Sequence, residues 1–242
     1  MKKFFPLLLL AVSFAPLCAF AAGSSVFLQT PARAVNAGDT VLVPVMLAVP
    51  EGAAINSLQA MVSVSGPAHL ESVSTGGSLF TIWPQEPVVE SDKASFVGGL
   101  PGSAYGSPLR AATLVITATG AGTVRVSVSG ATAYSGDGKG TPQKLADAGI
   151  SFAVGSATGS VRNDLSGSIA ADRTPPDPFT IMLGRDPSLY GGKYFITYPA
   201  ADAASGVSRY EIIDNGAPTL STTSTSAALT DQSLEEIGRA HV

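Results

Sequence analysis

Residues 35–49 read VNAGDTVLVPVMLAV, and few folds can hold such a stretch. Gly38-Asp39 supplies a turn, and the Val, Leu and Met positions after it are the bulky or β-branched residues that a pleated, largely buried surface favours. Pro44 has no N–H to give a ladder, which places it on an edge or at a bulge. We therefore read 40–48 as an early strand of a β-sandwich, against which the rest of 25–154 packs. Further strands are expected at 25–30, 57–65, 69–74, 79–83, 94–97, 110–117, 123–129 and 149–154, separated by Gly, Pro, Asp and Ser. Nine short strands at this spacing predict an all-β, nine-stranded jelly-roll sandwich. With 13% charged residues and no sustained helical period, the composition agrees.

Period-two alternation sets the phase of two strands. In SLQAMVSVS, residues 57–65, Leu58, Ala60, Val62 and Val64 share one face and Ser57, Gln59, Met61 and Ser63 the other. In TVRVSVS, residues 123–129, Val124, Val126 and Val128 point inward, with Arg125 and Ser127 outward.

The chain is expected to be exported. Residues 1–21 (MKKFFPLLLLAVSFAPLCAFA) have two lysines, an apolar core and a small-x-small end at Ala19-Phe20-Ala21, the pattern of a cleaved signal peptide. Cys18, the one cysteine, would leave with it, so stability must come from burial rather than disulfides. At the other end, residues 237–242 (IGRAHV) resemble the translation of a sequencing-library adapter, and we exclude them from fold reasoning. Without Lys2, Lys3 and Arg239, 11 Lys and Arg stand against 18 acids, a net charge of −7. That balance argues against nucleic acid or an anionic membrane as partner.

Four stretches together carry a family resemblance: AGDTVLVPVMLAVPEGAAINSLQAMVSV, LESVSTGGSLF, SPLRAATLVITATGAGTVRVSV and GDGKGTPQKLADAGISFAV. In order, and over roughly 130 residues, they resemble the cohesin domain. The resemblance implies a nine-stranded jelly roll that binds dockerin modules, within a superfamily that includes carbohydrate-binding modules. Strand 57–65 is similar to the cohesin recognition strand, which makes Ser57, Gln59, Met61 and Ser63 the candidate binding residues. The chain departs from the family at the corner after this strand, where Val64-Ser65-Gly66-Pro67 replaces the common Tyr-Asp-Pro and keeps only the turn.

Residues 156–173, rich in Ser, Gly and Ala, read as a linker between a module at 22–155 and a second at 174–236. The second resembles bacterial immunoglobulin-like or fibronectin-III-like repeats, through a turn at Asp202 to Val207 followed by Tyr210-Glu211-Ile212. Such a sandwich typically needs ~100 residues; this one is expected to be truncated.

Catalytic chemistry finds little to work with. His69 stands at a strand entrance, and no serine lies in a nucleophile elbow, so it reads as a rim histidine. Glu86, Glu90 and Asp92 fall in the proline-broken WPQEPVVESDK, which reads as a solvated loop rather than a carboxylate pair. Asp137-Gly138-Lys139-Gly140 lacks the alternating oxygen ligands of a calcium loop and reads as a tight turn. We expect no enzyme activity, cofactor or metal. The expected role is secreted or cell-surface protein-protein adhesion or scaffolding, with a dockerin-like partner. The alternatives are a structural spacer and a polysaccharide-binding module, the latter using Trp83, Tyr105 and Tyr134 as stacking platforms.

Overall fold

The computed structural model describes residues 23–233, except 186, 188, 189, 199, 203–205, 208, 215 and 223. The signal-peptide and adapter readings at 1–21 and 237–242 lie outside the described residues.

Two sheets face each other, antiparallel throughout except where Val35-Asn36 pairs parallel with Val154-Gly155. The smaller contains β1 (Ser25–Leu28), β3 (Thr40–Val49), β5 (Ala68–Ser74) and β8 (Gly106–Ala118), in the order β1-β3-β8-β5. The larger runs β2-β11-β9-β4-β7-β6, built from β2 (Val35–Asn36), β4 (Ile55–Ser65), β6 (Ile82–Glu90), β7 (Lys93–Ala104), β9 (Gly122–Ser135) and β11 (Ala148–Gly155). A short β10 (Pro142–Lys144) pairs with β9. The chain changes sheet at every step from β2 to β6 and again from β7 to β9, which is the sandwich-crossing path of a jelly roll.

The core lies between the sheets, where Val43, Val45, Leu47, Leu58, Val62, Phe96, Leu114, Ile116, Val124 and Val128 are fully buried. Alternation in β4 and β9 has the expected phase: Leu58, Ala60, Val62 and Val64 are inside, as are Val124, Val126 and Val128. Pro44 sits on a central strand rather than an edge. It is tolerated because β1 ends beside it: Leu28 is the last residue paired, and Pro44 needs only its carbonyl, which accepts the Gln29 N–H at 3.0 Å. A bulge follows at Val45/Met46.

Two stretches differ from expectation. The fifth strand, expected at 79–83, is instead β6, so the supposed loop holding Glu86 and Glu90 is an edge strand; Pro84 and Pro87 remove donors from an edge that has little need of them. The supposed linker 156–173 contains helix α1 (Asp164–Ala171), capped by the Asn163 side chain, which accepts the Ser166 N–H at 2.9 Å. Asp39, 1% exposed, holds this segment to the sandwich. Its Oδ1 accepts the Arg162 N–H at 2.9 Å, and its Oδ2 accepts Arg33 Nη1 at 2.6 Å and the Asn36 N–H at 3.1 Å. Arg33 also reaches Asp164 at 3.1 Å, and the Thr40 N–H donates to the Arg162 carbonyl at 2.8 Å.

Beyond α1 the chain forms a three-stranded sheet of β12 (Met182–Arg185), β13 (Tyr194–Thr197) and β16 (Ser226–Ala228). β14 (Tyr210–Asp214) and β15 (Ala217–Thr222) form a separate two-stranded hairpin. Among the described residues no helix is long and apolar enough to cross a membrane.

Candidate binding face

The outer face of the larger sheet is centred on β4, because residues opposite one another on a ladder share a face. Ser57, Gln59, Met61 and Ser63 are flanked on β7 by Gly99, Val97, Ser95 and Lys93, and on β9 by Tyr134, Thr132, Ser129 and Ser127. The structure thus brings the four candidates into one outward row. Met61 is 45% exposed, Gln59 is exposed, and Ser57 and Ser63 are half-buried. Adjacent strands are tied by side chains: Ser63 and Ser127 hydroxyls lie 2.8 Å apart, and Gln85 Nε2 donates to Ser95 Oγ at 2.9 Å.

The middle of this face carries no charge among the described residues; Lys93 and Arg125 stand at one end, beside Ser63 and Ser65. At the centre, a bulge in β9 displaces the ladder between Gln59 and Met61. Gly130 takes a left-handed conformation there (φ 60°) and donates its N–H to Asp147 at 3.1 Å. A pleated surface with one exposed thioether, a valine and a fringe of hydroxyls and amides offers apolar contact and hydrogen bonding. Val97, Ser95, Ser129 and Thr132 belong to it and were not singled out from sequence, although the alternation of KASFV, residues 93–97, already pointed Ser95 and Val97 outward.

The three candidate sugar platforms do not form a row. Trp83 is 8% exposed and wedged edge-on between Phe80 and Phe96, with centroids at 6.2 and 6.0 Å, so its faces serve the core. Tyr134 is half-buried beside Ser57, and Tyr105, 55% exposed, follows the end of β7 on the other side of β4. They are separated by β4 itself, two strand spacings of about 4.8 Å each.

His69 is exposed, its Nδ1 3.2 Å from the Asp92 carboxylate. Asp92 is a structural device: in a left-handed turn (φ 60°) it accepts the Leu70 N–H at 3.0 Å and so ties the β6–β7 hairpin to β5 of the other sheet. Both Asp137 oxygens close their own turn, accepting the Thr141 hydroxyl at 2.6 Å and the Lys139 N–H at 2.8 Å, and these bonds hold the carboxyl below its usual range.

No family model and no curated protein matches this sequence. Solved structures similar to it include a non-cellulosomal cohesin from the archaeon Archaeoglobus fulgidus, 17% identical over 55% of this chain and 91% of that one, with a TM-score of 0.46. A cohesin module from a Clostridium perfringens family 33 glycoside hydrolase is 12% identical over 56% and 97%, with a TM-score of 0.45. A type I cohesin–dockerin complex from Clostridium thermocellum matches at 12% identity over 56% and 95%, also with a TM-score of 0.45.

Proposed function

We propose that residues 22–155 are a non-catalytic, secreted or surface-displayed binding module that docks a protein partner of dockerin type on the outer face of β9, β4 and β7. The observation that carries this reading is the uncharged row Ser57, Gln59, Met61, Ser63 with an exposed methionine at its centre. Interface centres are depleted in charge and enriched in methionine. The face is spread over three adjacent strands, β9, β4 and β7, an extent that suits a folded partner better than a small substrate. The resemblance of the sequence to cohesins supplies the kind of partner. Polysaccharide binding through Trp83 loses its main support, since that ring is buried.

The test is calorimetric titration of the full chain with a panel of isolated dockerin modules. Changing Gln59 and Met61 together to Lys should weaken any dockerin that binds by about tenfold or more, the about 1.4 kcal/mol of a modest hot spot, with no change in melting temperature. Unaltered binding would remove this face from the interface. If no dockerin binds while the chain is retained on insoluble polysaccharide and Tyr134→Ala releases it, the protein-docking reading fails.

A further inference from the structure

The edge of the larger sheet at β6 is not left open. Trp83 falls in the irregular stretch of the β6–β7 ladder between Ile82 and Gln85, and its N–H donates to Thr225 Oγ1, 142 positions later, at 3.2 Å. Thr225 is 4% exposed, and its carbonyl in turn accepts the Tyr198 N–H at 2.9 Å, which fastens this loop to the end of β13. A second bond runs from the Gly77 N–H, in the β5–β6 loop, to the Asp202 carbonyl at 2.7 Å. Asp202 is 5% exposed, and its carboxylate accepts the Gly206 N–H at 3.0 Å.

At the centre of the seam, backbone meets backbone. Gly206 has φ +85°, and a Cβ placed on it would lie 2.6 Å from Gly76 Cα and 3.0 Å from Gly76 N. Neither residue has a side chain that could yield, so any substitution at Gly206 must push the two segments apart. Around this contact a cleft of about 320 Å³ is walled by Phe80, Trp83 and Glu86 on one side and Asp202, Tyr210 and Thr225 on the other. Behind it Tyr198 and Tyr210 pack at 4.8 Å, and burial, helped by Tyr190, Tyr210 and Glu86, pushes the Tyr198 phenol up to about 12. The Asp39–Arg33–Asp164 cluster fixes the other end of the connection, so the chain is anchored before and after the segment that joins its two parts.

We propose that the described residues of 174–233 are a fixed cap on the β6 edge, locked through Gly76–Gly206, Trp83–Thr225 and Gly77–Asp202, and that the two parts of the chain move as one body. An edge strand with free donors is a template for unwanted pairing; here two prolines remove donors and a threonine takes up that of Trp83. The cap leaves the β9–β4–β7 face uncovered and holds it at a constant orientation, so any partner bound there is presented rigidly rather than on a tether.

The test uses the full chain and reads amide hydrogen exchange by NMR at Gly77 and Trp83, whose N–H groups are the seam bonds. In the unaltered chain both should be protected, and small-angle scattering should fit one rigid body. Gly206→Ala should cut their protection by about tenfold or more and enlarge the radius of gyration. Gly216→Ala is the matched control: its φ is +79° and no atom lies within 4 Å of the added Cβ, so it carries the backbone strain without the clash. It should leave both amides protected. Thr225→Val, which keeps shape and removes the acceptor, should lower protection at Trp83 by about fivefold, the worth of one hydrogen bond of about 1 kcal/mol. Unprotected amides in the unaltered chain, or equal behaviour of the two glycine variants, would overturn the proposal and leave the binding-face reading untouched.

Discussion

Replacing Asp39 by Asn tests the cluster that pins the α1 segment to the sandwich. Three donors converge on two oxygens: the Arg162 N–H on Oδ1, and the Asn36 N–H and Arg33 Nη1 on Oδ2. An amide offers one acceptor and one NH2, so at least one of those donors must face another donor. The carboxyl of Asp39 is held down at about 2, from an ordinary 3.8, first by the Arg162 N–H, against the opposing effect of burial, and then by Arg33 and Asn36. Each pKa unit corresponds to about 1.4 kcal/mol. Because the Arg33 side chain is 21% exposed and water screens part of the pair, we take about 1–2 kcal/mol as the effect of losing the charge. The sign is that of a depressed acid: the stabilisation is complete above the ordinary value near 4 and is lost as pH falls through 2. Unfolding free energies of Asp39→Asn and the unaltered chain, taken from urea titrations, should therefore differ by about 1–2 kcal/mol at pH 7 and converge towards pH 2. Equal stability at pH 7, or a difference that does not shrink in acid, would refute the reasoning.

Two further outcomes follow from burial and close approach. Val43→Asp places a charge at a fully buried site and should cost about 3–5 kcal/mol in chemical unfolding, whereas Gln59→Ala on the exposed face of β4 should stay within about 0.5 kcal/mol; equal losses would mean the strand phase is wrong. Gly66→Ala would set a Cβ 2.3 Å from the Thr123 carbonyl oxygen at φ +99° and should cost about 3 kcal/mol or more, while Gly130→Ala, at φ +60° with nothing within 4 Å, should cost about 1 kcal/mol; thermal melts of the pair check it.

Sequence alone determined the sandwich and the phase of its strands. Apolar residues at every second position of 58–64 and 124–128 leave one way to hide them, and a one-residue slip would put the whole set in water. The outward row Ser57, Gln59, Met61, Ser63 is the complement of that rule, so it was legible too. Only the tertiary structure decided what long-range partners decide. Trp83 carries the same aromatic signal whether it faces a ligand or a core, and it is Phe80 and Phe96 that claim it. Pro84 and Pro87 look like loop punctuation, yet an edge strand accepts them because its outward N–H groups need no ladder partner. The polar stretch 156–173 has too short a helical pattern to register, and it is held in place by Asp39, more than 120 positions earlier. Gly206 signals only a turn by itself; that it must be glycine follows from the backbone of Gly76 lying against it, a contact between distant segments that no local pattern encodes.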